Sequence, residues 1–422
     1  MEHDFTLQQD SELRFEAERD AEDVSLKLLD GKAEIFGTEL APNKQYTFLP
    51  GAKVAVFTWH GCRLRLMGKT TGTYIATETP MVMYLNTHGC LERLRRNAER
   101  ATRSSDEASH ARGPICMVVG PGDVGKSTLC RILLNYAVRF GRRPIYVDLD
   151  VGQSSLSVPG TLGAVLVERA ASVREGFSQE APLVYSFGDK TPSSNMTLYN
   201  ILVQKMGSDI HAKMASNKKV SVSGAIINTC GWVMGDGYKS VTHIAQSFEV
   251  DLIIVLDQER LYNDLVQDIP FIRVLYLPKS GGVVTRPRNV RATDRDERIR
   301  RYFYGLKTKF HPHTFDVKFS HVKIYKIGAP ELPASCMPCD MKVDDHRTKI
   351  VPVEPGNKVK HCLLALSMAT EPADLLTANV MGFICVVDVD ESAGVLKVLS
   401  PHPKPLPDTL LLLTQTQFID SA

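Results

Sequence analysis

The sequence predicts an α/β protein in which a central P-loop domain, built on a parallel sheet, is flanked by β-rich domains at both ends. Three patterns predict this architecture. Short strand-like runs separated by turn residues fill roughly the first ninety residues, strands alternate with helical segments from residue 114 to about 277, and short strands return from about residue 311. We place the domains at residues 1–100, 113–310 and 311–422, because a chain of 422 residues is too long for one hydrophobic core.

The N-terminal domain is predicted from five runs of alternating or β-branched residues, which are separated by Asp-Gly, Pro-Asn and Pro-Gly turns. The predicted strands are 25–29, 33–36, 45–48, 53–58 and 62–66. Strands at this spacing are typical of a small sandwich or barrel. A helix is then predicted at 91–101, followed by a polar linker at 102–113.

The central domain opens with the run Gly-Pro-Gly-Asp-Val-Gly-Lys-Ser-Thr at residues 120–128, which matches the spacing G-x-x-x-x-G-K-[S/T]. The glycines let backbone N–H groups face phosphate oxygens. An apolar strand at 115–119 precedes the run, and apolar residues three and four apart follow it, as on one face of a helix. Because strand, loop and helix agree, a chance glycine-rich turn is disfavoured and the run predicts a nucleoside triphosphate site.

Individual roles follow from the positions within this loop. Lys126 is expected to reach the β- and γ-phosphates, and the Ser127 hydroxyl to bind Mg²⁺. The positive N-terminal end of the following helix would point at the phosphates. The predicted nucleotide-binding residues of the loop are Gly122, Asp123, Val124, Gly125, Lys126, Ser127 and Thr128.

The rest of the central domain predicts a doubly wound fold, with further strands at 145–147, 183–187, 224–228, 252–256 and 274–277. Helices such as 197–214 and 238–247 lie between them. Ligands in such sheets bind beyond the carboxyl ends of the strands, where the phosphate loop lies. The third domain is predicted from strands at 316–319, 323–326, 383–387, 395–399 and 410–414, broken by many prolines.

Two carboxylates, Asp148 and Asp150, follow the strand at 145–147. Residues two apart on an extended segment face the same way, so both are expected to point into the phosphate site. Phosphoryl transfer needs a carboxylate that takes the proton of the attacking hydroxyl, and Asp150 is the candidate base. Asp148 is a candidate to organise Mg²⁺ through water, but a turn-capping role explains it equally well.

Trp232 follows the strand at 224–228, where P-loop proteins often place an acid that holds Mg²⁺. Here Asn228 and Thr229 stand at that point, which leaves the metal to Asp148 or Asp150. Position alone leaves two interpretations of Trp232 open. It is either a core residue behind a buried strand or a platform on which a nucleobase stacks.

An arginine-rich segment at 286–301 comes after the last predicted strand and a Gly281-Gly282 pair that is suited to a hinge. A charge run is usually a solvated helix face, and acidic residues balance part of this one. However, Arg291, Arg295 and Arg298 share one helical face. We therefore favour a lid whose guanidinium groups close over the triphosphate and stabilise charge on the transferred group.

Composition excludes several classes of protein. A formal net charge of +2 gives no evidence for a nucleic-acid partner, so any such site must be a local patch. No stretch approaches the ~20 apolar residues of a membrane span, and no signal-peptide pattern opens the chain. Nine scattered cysteines indicate reduced thiols in an intracellular protein, and Cys336 and Cys339 lack the further ligands of a metal site.

Four motifs together closely resemble the polynucleotide 5′-hydroxyl kinase family, in its branch associated with mRNA cleavage and polyadenylation and with tRNA splicing. They are the phosphate loop, Asp148-Leu-Asp150-Val-Gly-Gln153, Asn228-Thr-Cys-Gly-Trp232 and the segment 286–295. Residues 33–40, 53–60 and 256–262 extend the resemblance to nearly the whole chain.

The resemblance implies a central P-loop kinase domain between two β domains, and phosphorylation of the 5′-hydroxyl end of RNA with ATP and Mg²⁺. It implies a nuclear location and a place beside the tRNA-splicing endonuclease and the mRNA cleavage factor subunits. Asp150 would activate the hydroxyl, with Lys126 on the phosphates. The other carried-over positions are Gln153 and Thr191 at the RNA end, Trp232 on its terminal base, Arg286, Arg291 and Arg295 in the lid, and Glu16 and Lys53 at the adenine.

Two other functions remain open at this point. In an ATP-bound assembly factor of the cleavage and polyadenylation machinery, the nucleotide would be structural and would stay intact. A small-metabolite kinase or a GTPase would share the phosphate loop, but it would leave Trp232 unexplained.

Overall fold

The computed structural model describes residues 2–103, 111–180, 182–306, 309–329 and 343–419. These residues form a sandwich of two N-terminal sheets, a central sheet covered by helices, and a C-terminal sheet. The predicted fold class is therefore confirmed. Among the helices of this part of the chain, none is long and apolar enough to cross a membrane.

The N-terminal sandwich packs two antiparallel sheets face to face, with strand orders β1-β8-β3-β6 and β5-β4-β7-β2-β9. Its strands are β1 (Glu2–Leu7), β2 (Ser11–Ala17), β3 (Val24–Gly31), β4 (Glu34–Ile35), β5 (Thr38–Glu39), β6 (Gln45–Phe48), β7 (Lys53–Thr58), β8 (Cys62–Met67) and β9 (Thr70–Ala76). All five predicted strands are present. Strands β1, β2, β5 and β9 were not predicted: β1 and β9 carry few apolar residues, β5 is only two residues long, and the alternation along β2 was overlooked.

Helix α1 (Met81–Ala101) connects the sandwich to the central domain and is ten residues longer than predicted. Its first turns carry exposed apolar side chains, among them Val82, Met83 and Leu85, and these obscure the amphipathic pattern. The helix packs against α2 (Lys126–Arg139), which directly follows the phosphate loop.

The central sheet has the order β13-β12-β11-β14-β10-β15-β16. Its strands are β10 (Ile115–Val119), β11 (Ile145–Asp148), β12 (Thr161–Leu166), β13 (Leu183–Ser186), β14 (Ala225–Asn228), β15 (Leu252–Leu256) and β16 (Arg273–Leu277). Strands β11, β14, β10, β15 and β16 pair in parallel, whereas β12 pairs antiparallel with both β11 and β13, which the sequence did not predict. The loop from β11 to β12 contains no helix, and without a crossover a neighbouring strand must return antiparallel.

Helices cover both faces of this sheet, as predicted for a doubly wound fold. The remaining helices of the central domain are α3 (Met196–Ser216), α4 (Lys218–Ser223), α5 (Asp236–Ser247), α6 (Glu259–Asp268) and α7 (Arg288–Tyr304). One face packs mainly on α3 and α5, and the other mainly on α1 and α2. The phosphate loop lies where β10 ends, beside the carboxyl ends of β14 and β15.

The C-terminal domain is a seven-stranded sheet with the order β17-β22-β21-β20-β23-β18-β19. Its elements are β17 (His313–Lys318), β18 (Lys323–Ile327), α8 (Val343–Thr348), β19 (Ile350–Val353), β20 (Cys362–Ser367), β21 (Val380–Asp390), β22 (Val395–Ser400) and β23 (Leu410–Gln417). The five predicted strands are present, while β19 and the buried central β20 were missed. Ile299 and Phe303 of α7 are buried in the core of this domain. Cys336 and Cys339 lie outside the described residues.

Candidate active site

The phosphate loop joins β10 to α2 through tightly packed glycines. Gly125 adopts a left-handed φ of 95° just before α2, and the start of this helix has no side-chain cap. Gly231 from the loop after β14 lies so close that a Cβ there would stand 2.6 Å from the Gly122 nitrogen. The uncapped N-terminus of the helix offers free N–H groups, and the glycines of the loop let a ligand come close to the backbone. A phosphate site requires both features.

Lys126 is buried at the start of α2, with 7% of its surface exposed. Its Nζ donates to the carbonyl oxygens of Gly120, at 2.8 Å, and Pro121, at 2.7 Å. Burial lowers the pKa of Lys126, while the carboxylate of Asp150 opposes this shift. Ser127 and Gly122 are exposed to the cleft, and Thr128 is half-buried, whereas the Val124 side chain belongs to the core beneath the loop.

Asp150 lines the cleft beyond the end of β11. Its Oδ1 accepts hydrogen bonds from the backbone nitrogens of Gly152 and Gln153, at 3.0 and 3.1 Å. Burial, with the added charge of Asp148, raises the pKa of Asp150 to about 6, although Lys126 and the two backbone bonds oppose the shift. A half-buried carboxylate with this pKa is ionised at neutral pH and retains appreciable basicity.

Asp148 does not face the cleft, contrary to the expectation from strand alternation. It is fully buried, and its carboxylate accepts from Asn228 Nδ2 at 3.0 Å and from the Ser155 nitrogen at 2.8 Å. Strand β11 ends at Asp148, so the period of two no longer relates Asp148 to Asp150. This geometry is the turn-capping arrangement, and Asn228 takes part in it.

The segment predicted to be an arginine lid comprises α7 and the residues just before it. Arg286 is bound to the phosphate loop, with its Nε 2.9 Å from Asp123 Oδ1. Arg291 Nη1 lies 3.9 Å from Asp123 Oδ2, and Arg295 lines the same cleft. Arg298 is half-buried on the predicted common face and donates to the Ser155 carbonyl at 3.3 Å. The arginines named from the sequence thus line one cleft with the loop, and two of them, Arg286 and Arg291, approach its Asp123.

The three residues assigned to the acceptor side also line the cleft, which has a volume of about 1610 Å³. Gln153 bonds to Arg286 Nη1 through its Oε1, at 3.3 Å. Trp232 is half-buried, and its backbone is packed against Gly237. Thr191 is exposed in the cleft, just before a short 3₁₀ helix at Pro192–Ser194.

The N-terminal sandwich supplies the remaining wall of the cleft. Glu16 and Lys53 are directly opposite each other on β2 and β7, with 3.7 Å between Glu16 Oε2 and Lys53 Nζ. Both side chains are about one-third exposed. They therefore lie at the surface of the cleft. Both residues are far from the phosphate loop in the sequence, and the fold brings them to the same cleft.

Sequence reasoning missed a buried ion pair on the same strand, between Arg14 Nε and Glu12 Oε2 at 2.7 Å. Burial raises the pKa of Glu12 and Arg14 opposes the shift. The Arg14 side chain packs on Gly281 and Gly282, the pair predicted as a hinge. A signal was present, since charged residues at 12, 14 and 16 alternate with apolar ones at 13, 15 and 17. This alternation is typical of a strand, but it does not indicate that Arg14 packs on Gly281 and Gly282.

Comparison with known proteins places these features in a family. The mRNA cleavage and polyadenylation factor CLP1 P-loop family matches residues 120–305. The N-terminal β-sandwich domain of polyadenylation factor matches residues 6–98, and the pre-mRNA cleavage complex II protein Clp1 family matches residues 310–420.

Whole-length relatives agree with these matches. The chain is 55% identical to a protein CLP1 homolog of Anopheles gambiae over 420 residues, which cover 99% of this chain and 97% of the relative. It is 54% identical to the polyribonucleotide 5′-hydroxyl-kinase Clp1 of Homo sapiens over 418 residues, which cover 99% of this chain and 96% of the relative. The same coverage and identity hold for the Gallus gallus protein of that name.

Solved structures support the fold. The chain aligns with Clp1p from a wild-type Clp1p–Pcf11p complex with a TM-score of 0.85, at 23% identity, covering 100% of this chain and 99% of that one. A second Clp1p structure, which concerns an extended interface with Pcf11p and ATP loss in a point mutant, aligns with the same TM-score. The resemblance seen in the sequence is confirmed, and the chain belongs to the Clp1 family.

Proposed function

We propose that this protein is an ATP-dependent polynucleotide kinase that phosphorylates the 5′-hydroxyl ends of RNA. The observation that carries the proposal is one cleft in which Lys126, Asp150 and the lid arginines meet. A buried cation, a carboxylate of raised pKa and guanidinium groups are the groups on which phosphoryl transfer depends. Relatives named polyribonucleotide 5′-hydroxyl-kinase, at 54% identity over 99% of this chain, support the same activity.

The residues of the cleft fit ATP and Mg²⁺. The uncapped start of α2 and the left-handed Gly125 form a cradle for phosphates, and Lys126 now bonds to carbonyls of its own loop. Residues 122–128 would hold the triphosphate, Ser127 would bind the metal, and Glu16 and Lys53 would hold the adenine. When bound, ATP with Mg²⁺ supplies the phosphoryl group that is transferred.

Asp150 is the group that would take the proton of the RNA 5′-hydroxyl. Its Oδ1 is fixed by the two backbone N–H groups of Gly152 and Gln153, which orients the carboxylate toward the cleft. Burial raises its pKa to about 6, so it is mostly ionised at neutral pH and yet is a stronger base than an exposed aspartate. Asp148 supports this position from behind, because its own carboxylate accepts from the Asp150 nitrogen at 3.2 Å.

The lid would exclude water and balance negative charge. Arg286, Arg291 and Arg295 reach the cleft from one segment, and guanidinium groups match phosphate oxygens in geometry. On the acceptor side, Gln153 and Thr191 would hold the RNA end and the Trp232 ring would stack on its terminal base. Stacking explains why Trp232 lines the cleft and is only half-buried, whereas a core role would not.

The cellular setting of this activity is also part of the proposal. We place the protein in the nucleus, in pre-mRNA 3′-end processing and tRNA splicing. The family descriptions of a cleavage and polyadenylation factor, and the solved Clp1p–Pcf11p complexes, support a partnership with mRNA cleavage factor subunits. Partnership with the tRNA-splicing endonuclease rests on the resemblance alone.

The deciding experiment is transfer of labelled γ-phosphate from ATP to a short RNA with a 5′-hydroxyl end. Wild-type protein should transfer the label, and Lys126→Ala and Asp150→Asn should both lose transfer while keeping the wild-type circular dichroism spectrum. Asp296→Asn, an exposed charge change on α7, is the matched control and should keep full transfer.

Other outcomes of this experiment point elsewhere. Full activity of Lys126→Ala would exclude the assigned phosphate site. If the wild type transfers no label but co-purifies with intact ATP, the nucleotide is structural and the protein serves as a scaffold of the cleavage and polyadenylation machinery.

A further inference from the structure

Asp123 occupies a costly position in the phosphate loop. Its φ is 56°, in the left-handed region that few residues other than glycine adopt, and its side chain is only 7% exposed. A carboxylate at this place also sets negative charge beside the intended site of an anionic ligand, which disfavours binding unless the charge is balanced. Phosphate binding by the backbone N–H groups of the loop does not explain why a carboxylate stands at this position.

Arg286 balances this charge through two hydrogen bonds. Its backbone nitrogen donates to Asp123 Oδ2 at 2.9 Å, and its Nε donates to Oδ1 at 2.9 Å. Arg291 adds a second cationic group, with its Nη1 at 3.9 Å from Oδ2. Burial acts to raise the pKa of Asp123, but the hydrogen bonds from Arg286 hold it below its ordinary value, so the carboxylate is ionised.

The two hydrogen bonds from Arg286 to Asp123 restrain the backbone and the side chain of Arg286, respectively. The bond to the backbone nitrogen fixes the path of the chain between the Gly281–Gly282 pair and the start of α7. The bond to Nε fixes the guanidinium, whose Nη1 then reaches Gln153 Oε1 at 3.3 Å and Asp294 Oδ2 at 3.2 Å. The C-terminal half of α7 is held separately, since Ile299 and Phe303 are buried in the C-terminal domain. Asp123 thus contacts the N-terminal part of the predicted lid, which carries Arg286 and Arg291.

We infer that the Asp123 side chain is a positioning residue that holds Arg286 at the phosphate loop before nucleotide binds and so sets the lid for phosphoryl transfer. The loop then has two tasks: its N–H groups bind phosphate, and its one acidic side chain places the lid. Holding a charged group in position in advance lowers the reorganisation that the reaction requires. The catalytic consequence rests on the proposed kinase function, whereas the structural consequence holds in nucleotide-free protein.

The structural consequence is tested by hydrogen exchange of the full-length, nucleotide-free protein. Asp123→Asn keeps the size of the side chain but can accept only one of the two Arg286 bonds without presenting an amide N–H to the other donor. Amides of residues 286–294 should exchange at least about threefold faster in this variant. The control Asp296→Asn should leave them unchanged. Equal exchange of wild type and Asp123→Asn would overturn the inference.

The catalytic consequence is tested by steady-state kinetics. Asp123→Asn should lower kcat about tenfold while the KM for ATP changes by less than about twofold, because the backbone cradle remains. A loss of ATP affinity as large as the loss of kcat would make the side chain part of the nucleotide site and overturn the positioning role. So would an unchanged kcat.

A double variant separates positioning from an unrelated effect. If Asp123 acts through Arg286, adding Asp123→Asn to Arg286→Ala should reduce kcat by less than about twofold further, since both changes remove the same contact. Multiplicative losses would contradict the inference. A wild type without transfer activity would count against the proposed function alone, and hydrogen exchange would then decide the inference by itself.

Discussion

Arg14 of the N-terminal sandwich lies against Gly282 in the segment that leads to the lid. A Cβ at Gly282 would stand 2.9 Å from Arg14 Nε and 3.0 Å from its Cδ. Arg14 has little freedom to move away, because the residue is 7% exposed and its guanidinium bonds to Glu12 at 2.7 Å and donates to the Glu78 carbonyl at 3.2 Å. The N-terminal domain therefore packs against the predicted hinge as well as forming a wall of the cleft.

We predict that Gly282→Ala impairs phosphorylation by displacing this hinge. The added methyl group forces Arg14 or the chain at 282 to shift, and a misplaced lid loses alignment with the reacting groups, so kcat should fall about three- to tenfold. Gly281→Ala is the matched control, since its nearest contact is the Arg14 Nη1 at 3.3 Å, the flexible end of the side chain. Equal losses in the two variants would show that the close approach at Gly282 has no special effect.

Trp232→Ala should weaken RNA binding and spare ATP binding. Stacking of a base on an aromatic side chain contributes about 1–3 kcal/mol, so the KM for a short 5′-hydroxyl RNA should rise by roughly one to two orders of magnitude. Trp232→Phe keeps a ring and should recover most of the affinity. An unchanged KM for RNA in Trp232→Ala, measured at saturating ATP, would show that Trp232 does not stack on the RNA and has only a structural role.

The parts of the site that the sequence predicted are those set by local spacing. Lys126 and Ser127 lie in a contiguous motif. Asp150 comes just after a strand that its own apolar residues make recognisable in the sequence. Arg291, Arg295 and Arg298 were placed on one face from helical periodicity, and each lines the cleft. Local patterns carry this information because strand, loop and helix geometry fix the direction of side chains within a few residues.

The parts that the sequence did not predict depend on partners far along the chain. Asp123 and Arg286 are 163 residues apart, and no periodicity links them. Arg14 acquires its role only because the sandwich docks beside the hinge. Asp148 shows the opposite error, since strand alternation was extended to Asp150, two residues beyond the end of β11 at Asp148.

Asp150→Asn should abolish transfer and yet raise thermal stability at neutral pH. Folding raises the pKa of Asp150 from 3.8 to about 6, so the folded state binds this proton more tightly than the unfolded state. The ionised carboxylate therefore costs stability, and the cost grows as pH rises from about 4 to about 6. The asparagine keeps the Oδ1 acceptor, and we expect a melting temperature about 1–3 °C higher at pH 7.5 by calorimetry.

The same group predicts the pH dependence of activity. A base works when it is deprotonated, so kcat/KM of the wild type should fall as pH drops through about 6 and level off above pH 7. The measurement is an initial-rate series at saturating Mg²⁺. A profile without an acidic limb near this pH would assign proton removal to a different group.

His88 should make the protein sensitive to acid. It is 3% exposed on α1 between the rings of Tyr136 and Phe140, and neither ring nitrogen has a hydrogen-bond partner among the residues that the structure describes. Burial lowers its pKa to about 4, with the charges of Arg95 and Arg139 adding to the shift and Glu92 opposing it.

The sign follows from the two pKa values of His88. Between pH 6.5 and about 4 the unfolded chain binds a proton that the folded protein does not, so stability falls as pH drops through this window. At pH 5.5 the loss is about 1 kcal/mol. His88→Phe keeps a ring beside Tyr136 and removes the titration, so it should melt at a higher temperature than wild type at pH 5.5, with a smaller difference at pH 7.5. An identical pH dependence of the two melting temperatures would exclude His88 as the acid-sensitive group.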